Sequence, residues 1–308
     1  NVNNSKLIAV ASRSKKKLKE FANKFDLDEK KLFLSYEDLL GNKNIDAVYI
    51  STLNNTHLDL IINAAKKEKK ILCEKPLGLN LNEVIQAKKI LKRYNINFFE
   101  AIAYRSHPQT DALLTFLKKN ELGKIFRIES SFGFRVKKIR HTSRLFNKNL
   151  GGGSILDLGC YPVSFFNLFS DKNNKLQFID SKIEFLDTGV DVDAKINLKL
   201  GSSIDLVGHV SLKKNLDNIC KIYCEKGSIK IPSPWLPSQK SFIEIAGNNH
   251  YYKSFTNIKN DIYSNQIEKI SNNFLDKKNQ NYNSLVDIEE SYEIMLILDK
   301  WMKNKKSN

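Results

Sequence analysis

The sequence predicts an α/β fold in which a doubly wound parallel sheet is joined to an α+β domain with a largely antiparallel, open sheet. Two observations carry that expectation. Up to residue 104, short continuous apolar runs alternate with segments of helical period, the pattern of parallel strands buried on both faces. Beyond about residue 105 the runs turn period-two, as in a sheet with one wet face. The boundary is therefore drawn between 1–104 and 105–308, with the closing helix 284–303 expected to pack back on the first domain. A chain of 308 residues is long enough for two such domains.

The elements follow in order. "KLIAVAS" (6–12) reads as a strand, and "SKKKLKEFANKF" (14–25) as a helix with Leu18, Phe21, Ala22 and Phe25 at helical spacing. "DAVYIST" (46–52) is a second buried strand. "THLDLIINAAKKEKK" (56–70) is a helix capped by Thr56, with Leu58, Ile61, Ile62 and Ala65 on one face. "KILCEK" (70–75) is a strand, 81–95 a helix, and "INFFEAIAY" (96–104) a strand. A helix over 108–120 leads into a strand at 124–136, and a further helix covers about 154–169. Period-two runs then predict strands at 195–200, 203–212, 219–231 and 241–247, before helices at 261–275 and 284–303.

Composition excludes several classes of function. The net charge of +16 comes from 43 Lys and only 7 Arg, with Lys and Asn spread over the whole length. Nucleic-acid readers concentrate Arg and aromatics on one stripe, so no nucleic-acid partner is expected. No apolar stretch approaches the length of a membrane span. Cys73, Cys160, Cys220 and Cys224 show neither zinc spacing nor a disulfide framework, so no metal is expected and reduced thiols in the cytoplasm are the simplest reading.

"ILCEKPLG" (71–78) ends an apolar strand in opposite charges held against a proline, where a turn of small polar residues would be ordinary. In a doubly wound sheet the ligand cleft lies outside the carboxyl ends of the strands. "EKP", "STLNNTH" (51–57) and "EAIAYR" (100–105) all fall at such ends. "GGGSILDLGCYPVS" (151–164) completes the set: three glycines allow close backbone approach, and a helix then carries Asp157 and Tyr161 at i, i+4. Oxidising a secondary alcohol needs hydride transfer to a nicotinamide while a base takes the hydroxyl proton. A phenol is a poor base at neutral pH unless a nearby cation favours phenolate, and Lys75 could be that cation.

Taken in their order, "AVASRS", "ISTLNNTHLDLIINAAKKEKKILCEKPL", "EAIAYRSHPQ" and "GGGSILDLGCYPVS" resemble the glucose–fructose oxidoreductase / inositol dehydrogenase family of NAD(P)-dependent oxidoreductases, whose first domain is a Rossmann-type sheet. The pattern is most similar to the branch of the dihydrodiol and xylose dehydrogenases, which carries Tyr where the inositol dehydrogenases carry His. On that resemblance Tyr161 is the general acid/base, Lys75 its electrostatic partner and a donor to substrate, and Asp157 their support. Glu74 and Pro76 line the nicotinamide end, with Ser51, Thr52, Leu53, Asn54 and His57 on the cofactor-lining turn. Tyr104, Arg105 and His107 match a stretch near the nicotinamide, and Arg144 a substrate-binding arginine before the glycines. Loops 137–150 and 232–240 set specificity, for which sugars, polyols and dihydrodiols all fit. The resemblance leaves a second class open: a non-catalytic dinucleotide-binding protein that keeps the fold for sensing or assembly.

The glycine-rich phosphate loop of such a fold precedes the ribose-reading residue by about 20 positions. That residue lies near Ser12, so the first strand and its loop are expected upstream of Asn1, in a record cropped at its start. The ribose-reading strand ends in Ala11, Ser12, Arg13 and Ser14 without the Asp or Glu that favours NAD, so NADP is expected. A homodimer or higher assembly is expected through the open face of the antiparallel sheet, where Ser203, Asp205, Val207, His209 and Ser211 alternate with inward-facing Ile204, Leu206, Gly208, Val210 and Leu212.

Overall fold

Five short parallel strands realise the alternation of the first hundred residues, divided between two sheets. The protein is seen in a computed structural model that describes residues 2–248, 250–275 and 284–304. β1 (Val10–Ala11) pairs in parallel with β2 (Leu32–Phe33). β3 (Ala47–Ile50), β4 (Lys70–Glu74) and β5 (Phe98–Ala101) form a separate parallel sheet in that order. Among the described residues no ladder joins the two sheets. The run 6–12 accordingly shortens to two paired residues. β3 is less buried than expected, with Tyr49 45% exposed, because among the described residues only β4 lies beside it.

The helices begin where local chemistry starts them. Ser14 caps α1 (Lys15–Phe25), its hydroxyl accepting from the Lys17 amide at 3.3 Å. α2 (Tyr36–Gly41) is a short helix that the periodicity did not signal. α3 (His57–Lys66) ends earlier than expected, because Glu68 takes φ 55° and turns the chain so that β4 can begin at Lys70. Thr56 is no cap here. Its hydroxyl donates to the Leu53 carbonyl within a 3₁₀ turn, Asn54–Thr56. α4 (Leu81–Arg93) opens on a reciprocal cap, Asn80 accepting from the Glu83 amide and Glu83 accepting from that of Leu79.

The rest of the chain builds an eight-stranded sheet in the order β13-β12-β11-β10-β6-β9-β8-β7. Its strands are β6 (Ile125–Gly133), β7 (Leu176–Phe185), β8 (Asp191–Leu200), β9 (Ile204–Ser211), β10 (Cys220–Cys224), β11 (Gly227–Ile231), β12 (Lys240–Gly247) and β13 (Tyr251–Asn257). Every neighbouring pair is antiparallel except β6 and β9. The run 219–231 is a hairpin rather than one strand. Strands β7 and β13 went unread because both are largely solvent-facing and alternate poorly. Inward residues such as Ile196, Leu206, Val210, Ile222, Ile229 and Ile245 are buried. α5 (Pro108–Lys118), α6 (Cys160–Asn167), α7 (Ile262–Leu275) and α8 (Ile288–Lys303) complete the described helices.

α8 bridges the two regions. Glu289 pairs with Lys88 and Lys92 of α4, while Leu298 and Trp301 close on Gly159, leaving no room for a Cβ there without displacement. Among the described residues no helix is long and apolar enough to cross a membrane.

Candidate active site

β4 delivers Lys75. The strand is buried from Ile71 to Cys73, Glu74 emerges at its end, and the Lys75–Pro76 peptide is cis. The Lys75 ammonium donates to the Asp157 carbonyl at 2.7 Å and to Asp157 Oδ1 at 3.3 Å. Ile155–Gly159 is wound as one π turn, and besides Lys75 that carbonyl meets the Cys160 thiol at 3.9 Å. A π-spaced donor for it would come from residue 162, which is proline and has no N–H.

The glycines set that turn in place. Gly151 and Gly153 adopt φ 75° and 124°. A Cβ on Gly153 would stand 2.1 Å from Asp191 Oδ1, so the chain passes directly beside the Asp191 carboxylate. Asp191 accepts from the Ser154 hydroxyl and from the Ile155 amide, both at 2.7 Å. Arg144 reaches in from the other side, its Nη1 2.7 Å from Asp157 Oδ1.

Tyr161 follows on α6, half-buried, with its ring against Phe132, Trp235 and Tyr104 at centroid distances of 5.0, 5.8 and 6.2 Å. The Lys75 ammonium lies 5.1 Å from the centroid of the same ring. Tyr161, Lys75, Asp157 and Arg144 thus converge. Burial pushes the Tyr161 phenol up, and the Lys75 charge only partly offsets it. Burial alone would lower Lys75; the negative forms of Tyr161, Cys160 and Asp157 outweigh it and raise it. Burial would also raise Asp157, yet Lys75 and Arg144 hold its carboxyl below the usual range. The cluster is an ammonium and a guanidinium sharing one carboxylate beside a neutral phenol.

The turn after β3 lies next to it. Ser51 and Leu53 are exposed, the Thr52 and Thr56 hydroxyls bond each other at 2.7 Å, and Asn54 is buried beside Gly151. Glu74 accepts a hydrogen bond from the Tyr49 hydroxyl. Pro76 is buried. Ser12, Arg13 and Ser14 sit where β1 gives way to α1: Ser12 Oγ accepts from the Ser14 amide at 3.2 Å, and Arg13 is exposed.

Four expected site residues are interior struts instead. Arg105 is 2% exposed, and its fork is consumed by the carbonyls of Ser284 and Ser164 and by both oxygens of Glu290, at 2.8–3.0 Å. Tyr104 is equally buried, its hydroxyl 2.8 Å from that of Ser164. His107 is buried and caps α5, its Nδ1 accepting from the Gln109 amide. His57 is wholly buried with Nδ1 3.0 Å from the Pro76 carbonyl and Nε2 3.3 Å from that of Thr52, so it ties the two cleft loops together rather than lining the cleft. Of the polar atoms on these four side chains, only His107 Nε2 lacks a partner among the described residues, and it is buried.

Two acids that sequence reasoning passed over also shape the site. Glu100 accepts from the Leu77 amide at 2.9 Å, fixing the chain after Pro76, and burial pushes its carboxyl up to about 7. Its place in "EAIAYR" at a strand end was the available signal. Asp191 opens the run "DVDAKINLKL", where period-two reading gave it no role.

Comparison with known proteins adds the following. Residues 1–101 match the family model described as an oxidoreductase family with an NAD-binding Rossmann fold, and residues 111–230 match the GFO/IDH/MocA C-terminal domain. A trans-1,2-dihydrobenzene-1,2-diol dehydrogenase of Xenopus tropicalis is 30% identical over 233 residues, 75% of this chain and 69% of that protein. Its counterpart in Danio rerio is 31% identical over 233 residues, covering 75% and 68%. Among solved structures, a 3-ketoreductase of Actinomadura kijaniata in complex with NADP and TDP-benzene superposes with TM-score 0.84 at 20% identity, covering 96% of this chain and 88% of that one. An aldose-aldose oxidoreductase of Caulobacter crescentus gives TM-score 0.83 at 18% identity, over 96% and 88%. At those identities the structures speak for the fold.

Arg105→Leu should destabilise the protein by about 3 kcal/mol, since it strands the Glu290 carboxylate and two buried carbonyls. Urea unfolding of wild type and variant, followed by circular dichroism, reads this directly; a loss below about 1 kcal/mol would show that the fork is not a structural strut.

Proposed function

We propose that this chain, which belongs to the GFO/IDH/MocA oxidoreductase family, transfers a hydride between NADP(H) and a hydroxyl or carbonyl carbon of a small hydroxylated molecule. The observation that carries the chemistry is the Lys75 ammonium at the end of β4, held by Asp157 and lying over the ring of Tyr161. A protein kept only for sensing has no need of a buried ammonium aimed at a phenol.

The residues present fit a nicotinamide dinucleotide. At the β1–α1 junction Ser12, Arg13 and Ser14 offer two hydroxyls and a guanidinium with no ion pair among the described residues, and the first turn of α1 holds no acid. Such a donor set suits a 2′-phosphate, which an Asp or Glu there would repel. Glu74, Lys75 and the 51–54 turn would hold the nicotinamide end. When bound, the cofactor accepts or gives the hydride. The rest of the chemistry falls to the protein. In reduction, the Tyr161 hydroxyl gives its proton to the carbonyl oxygen and Lys75 stabilises the phenolate left behind. In oxidation, the Tyr161 phenolate takes the hydroxyl proton while the carbon loses hydride. Asp157 holds Lys75 in register for both.

Cofactor choice is read from kcat/KM with NADP and NAD. NADP should win, and Arg13→Ala should cut its advantage by about tenfold or more, a loss of one charge-assisted contact. A wild-type preference for NAD, or a variant that keeps full selectivity, would show the reading to be wrong.

The state of Tyr161 sets the pH response. Its pKa is raised, so at neutral pH the phenol carries the proton that reduction needs, and the phenolate that oxidation needs is scarce. Below that pKa each pH unit multiplies the phenolate by ten. Oxidation should therefore accelerate about tenfold per unit across the alkaline range, while reduction stays level. Tyr161→Phe should lower kcat by about 10²–10⁴ and abolish the slope, leaving cofactor affinity nearly unchanged. A slope that survives in Tyr161→Phe would assign the proton to another group.

We also read the open face of the eight-stranded sheet as a homodimer surface. Its outward residues include Arg127, Glu129, Asp205, His209 and Lys221, a mixture of both signs that can meet its own two-fold image. Light scattering at micromolar concentration should give twice the monomer mass, and the monomer mass would refute it.

A further inference from the structure

Asp157 is one carboxylate between two cations, since the Lys75 ammonium and the Arg144 guanidinium both reach Oδ1. These three groups carry one net positive charge, with the Glu74 carboxylate next along the chain from Lys75. Arg144 commits only Nη1 to it; the remainder of its fork makes no hydrogen bond among the described residues, and half of the side chain is exposed.

The surrounding chain extends this excess. From Ser130 to Leu156 there is no Asp or Glu, yet Arg135, Lys137, Lys138, Arg140, Arg144 and Lys148 fall within that span. All six are exposed, and all but Arg144 lack an ion pair among the described residues. Elsewhere Lys88, Lys175, Lys199, Lys213, Lys230 and Lys253 each meet a carboxylate, while lysines such as Lys16, Lys66 and Lys118 form no ion pair among the described residues either. A Lys-rich composition explains scattered lysines. It does not explain three of the chain's seven arginines within ten positions.

The segment is pinned at both ends and brought to the site. The Phe134 and Val136 amides bond the carbonyls of Ser211 and Leu212, each at 3.0 Å. Phe146 is buried in the core, and the Gly152 and Gly153 amides bond the carbonyls of Asn147 and Leu145 at 2.9 and 3.0 Å. Between these anchors the Ser143 amide bonds the Arg140 carbonyl at 2.9 Å. Such a turn holds the Cα atoms of residues 140 and 143 within about 7 Å, so the backbone at Arg140 returns close to the immediate chain neighbour of Arg144.

We propose that this acid-free segment recognises an oxyanion on the substrate, so that the hydroxylated molecule carries a phosphate or a carboxylate received by Lys138, Arg140 and the free part of the Arg144 fork. The inference rests on the oxidoreductase reading of the same site and narrows its substrates from neutral sugars, polyols and dihydrodiols to sugar phosphates or sugar acids. A guanidinium fork presents paired N–H donors to either oxyanion, and uncompensated positive charge at a cleft mouth concentrates anions there.

Calorimetric titration of the full chain with glucose, glucose 6-phosphate and glucuronate tests it. At least one charged sugar should bind about tenfold or more tightly than glucose, and the better of the two distinguishes phosphate from carboxylate. Lys138→Glu/Arg140→Glu should remove that preference without altering glucose or NADP binding. Lys118→Glu/Lys226→Glu, which changes net charge equally outside both specificity loops, should keep it. Equal binding of all three sugars, absence of binding by both charged ones, or an equal loss in the Lys118→Glu/Lys226→Glu variant overturns the proposal. Failure of the oxidoreductase reading looks different: no change in nicotinamide absorbance with any sugar, beside an intact calorimetric preference. Turnover of glucose as fast as its charged counterparts would sink the anion proposal alone.

Discussion

The interaction on which the rest depends is the grip of Asp157 on the Lys75 ammonium, through its backbone carbonyl at 2.7 Å and its carboxylate at 3.3 Å. A cation taken out of water is costly unless acceptors surround it. Each neighbouring device answers that cost. β4 brings the lysine to the mouth of the cleft, the π turn followed by Pro162 offers a carbonyl to meet it, and the glycines let that turn lie against Asp191. Glu100 and His57 fix the Pro76–Leu77 peptide by both of its polar groups, the Leu77 amide and the Pro76 carbonyl. The two halves of the cleft therefore meet in one ammonium.

The supporting layer is made of buried polar groups, and it is nearly saturated. Arg105 spends its fork on Ser164, Ser284 and Glu290, tying α6 to the start of α8. Ser164 in turn donates to the Tyr161 carbonyl and faces the Tyr104 hydroxyl. These bonds converge on the helix that carries Tyr161. Buried networks of this kind stabilise only when every member is satisfied, which ties the geometry of the phenol to residues that never touch a ligand.

Much of this was legible in the sequence, and the limits of legibility are physical. The order of most strands and helices followed from period, with α2, β7 and β13 among the exceptions, and the cluster of Lys75, Asp157 and Tyr161 from strand ends, a glycine turn and i, i+4 spacing. Tyr104 and Arg105 were misplaced because the same string "AYR" at a strand end serves a cleft or a core equally well. Only the partners decide, and Glu290 and Ser284 come from 180 residues away. His57 failed likewise, since its two carbonyl partners lie on separate loops. The division of the parallel strands into two sheets is a property of ladders, which no single strand records. Helix ends moved where one residue, Glu68, took a left-handed turn that its identity does not advertise.

Charge order along the cluster has a consequence for the phenol. Tyr161 feels the Lys75 charge in a site where burial disfavours phenolate, so the effective strength of that one cation decides how far the balance moves. Asp157 both holds Lys75 and screens it. Arg144 bonds the same Oδ1 more closely, at 2.7 Å against 3.3 Å, and so draws the carboxylate's charge towards the rim. Guanidinium, carboxylate, ammonium and phenol form a line in which the outermost group acts on the innermost through two others. An anion arriving at Arg144 would compete with Asp157 for the guanidinium and return carboxylate charge to Lys75, raising the phenol's hold on its proton. Occupation of the rim is thereby coupled to Tyr161 in the direction that weakens proton donation, since the phenol is already protonated and the phenolate left behind loses support from Lys75.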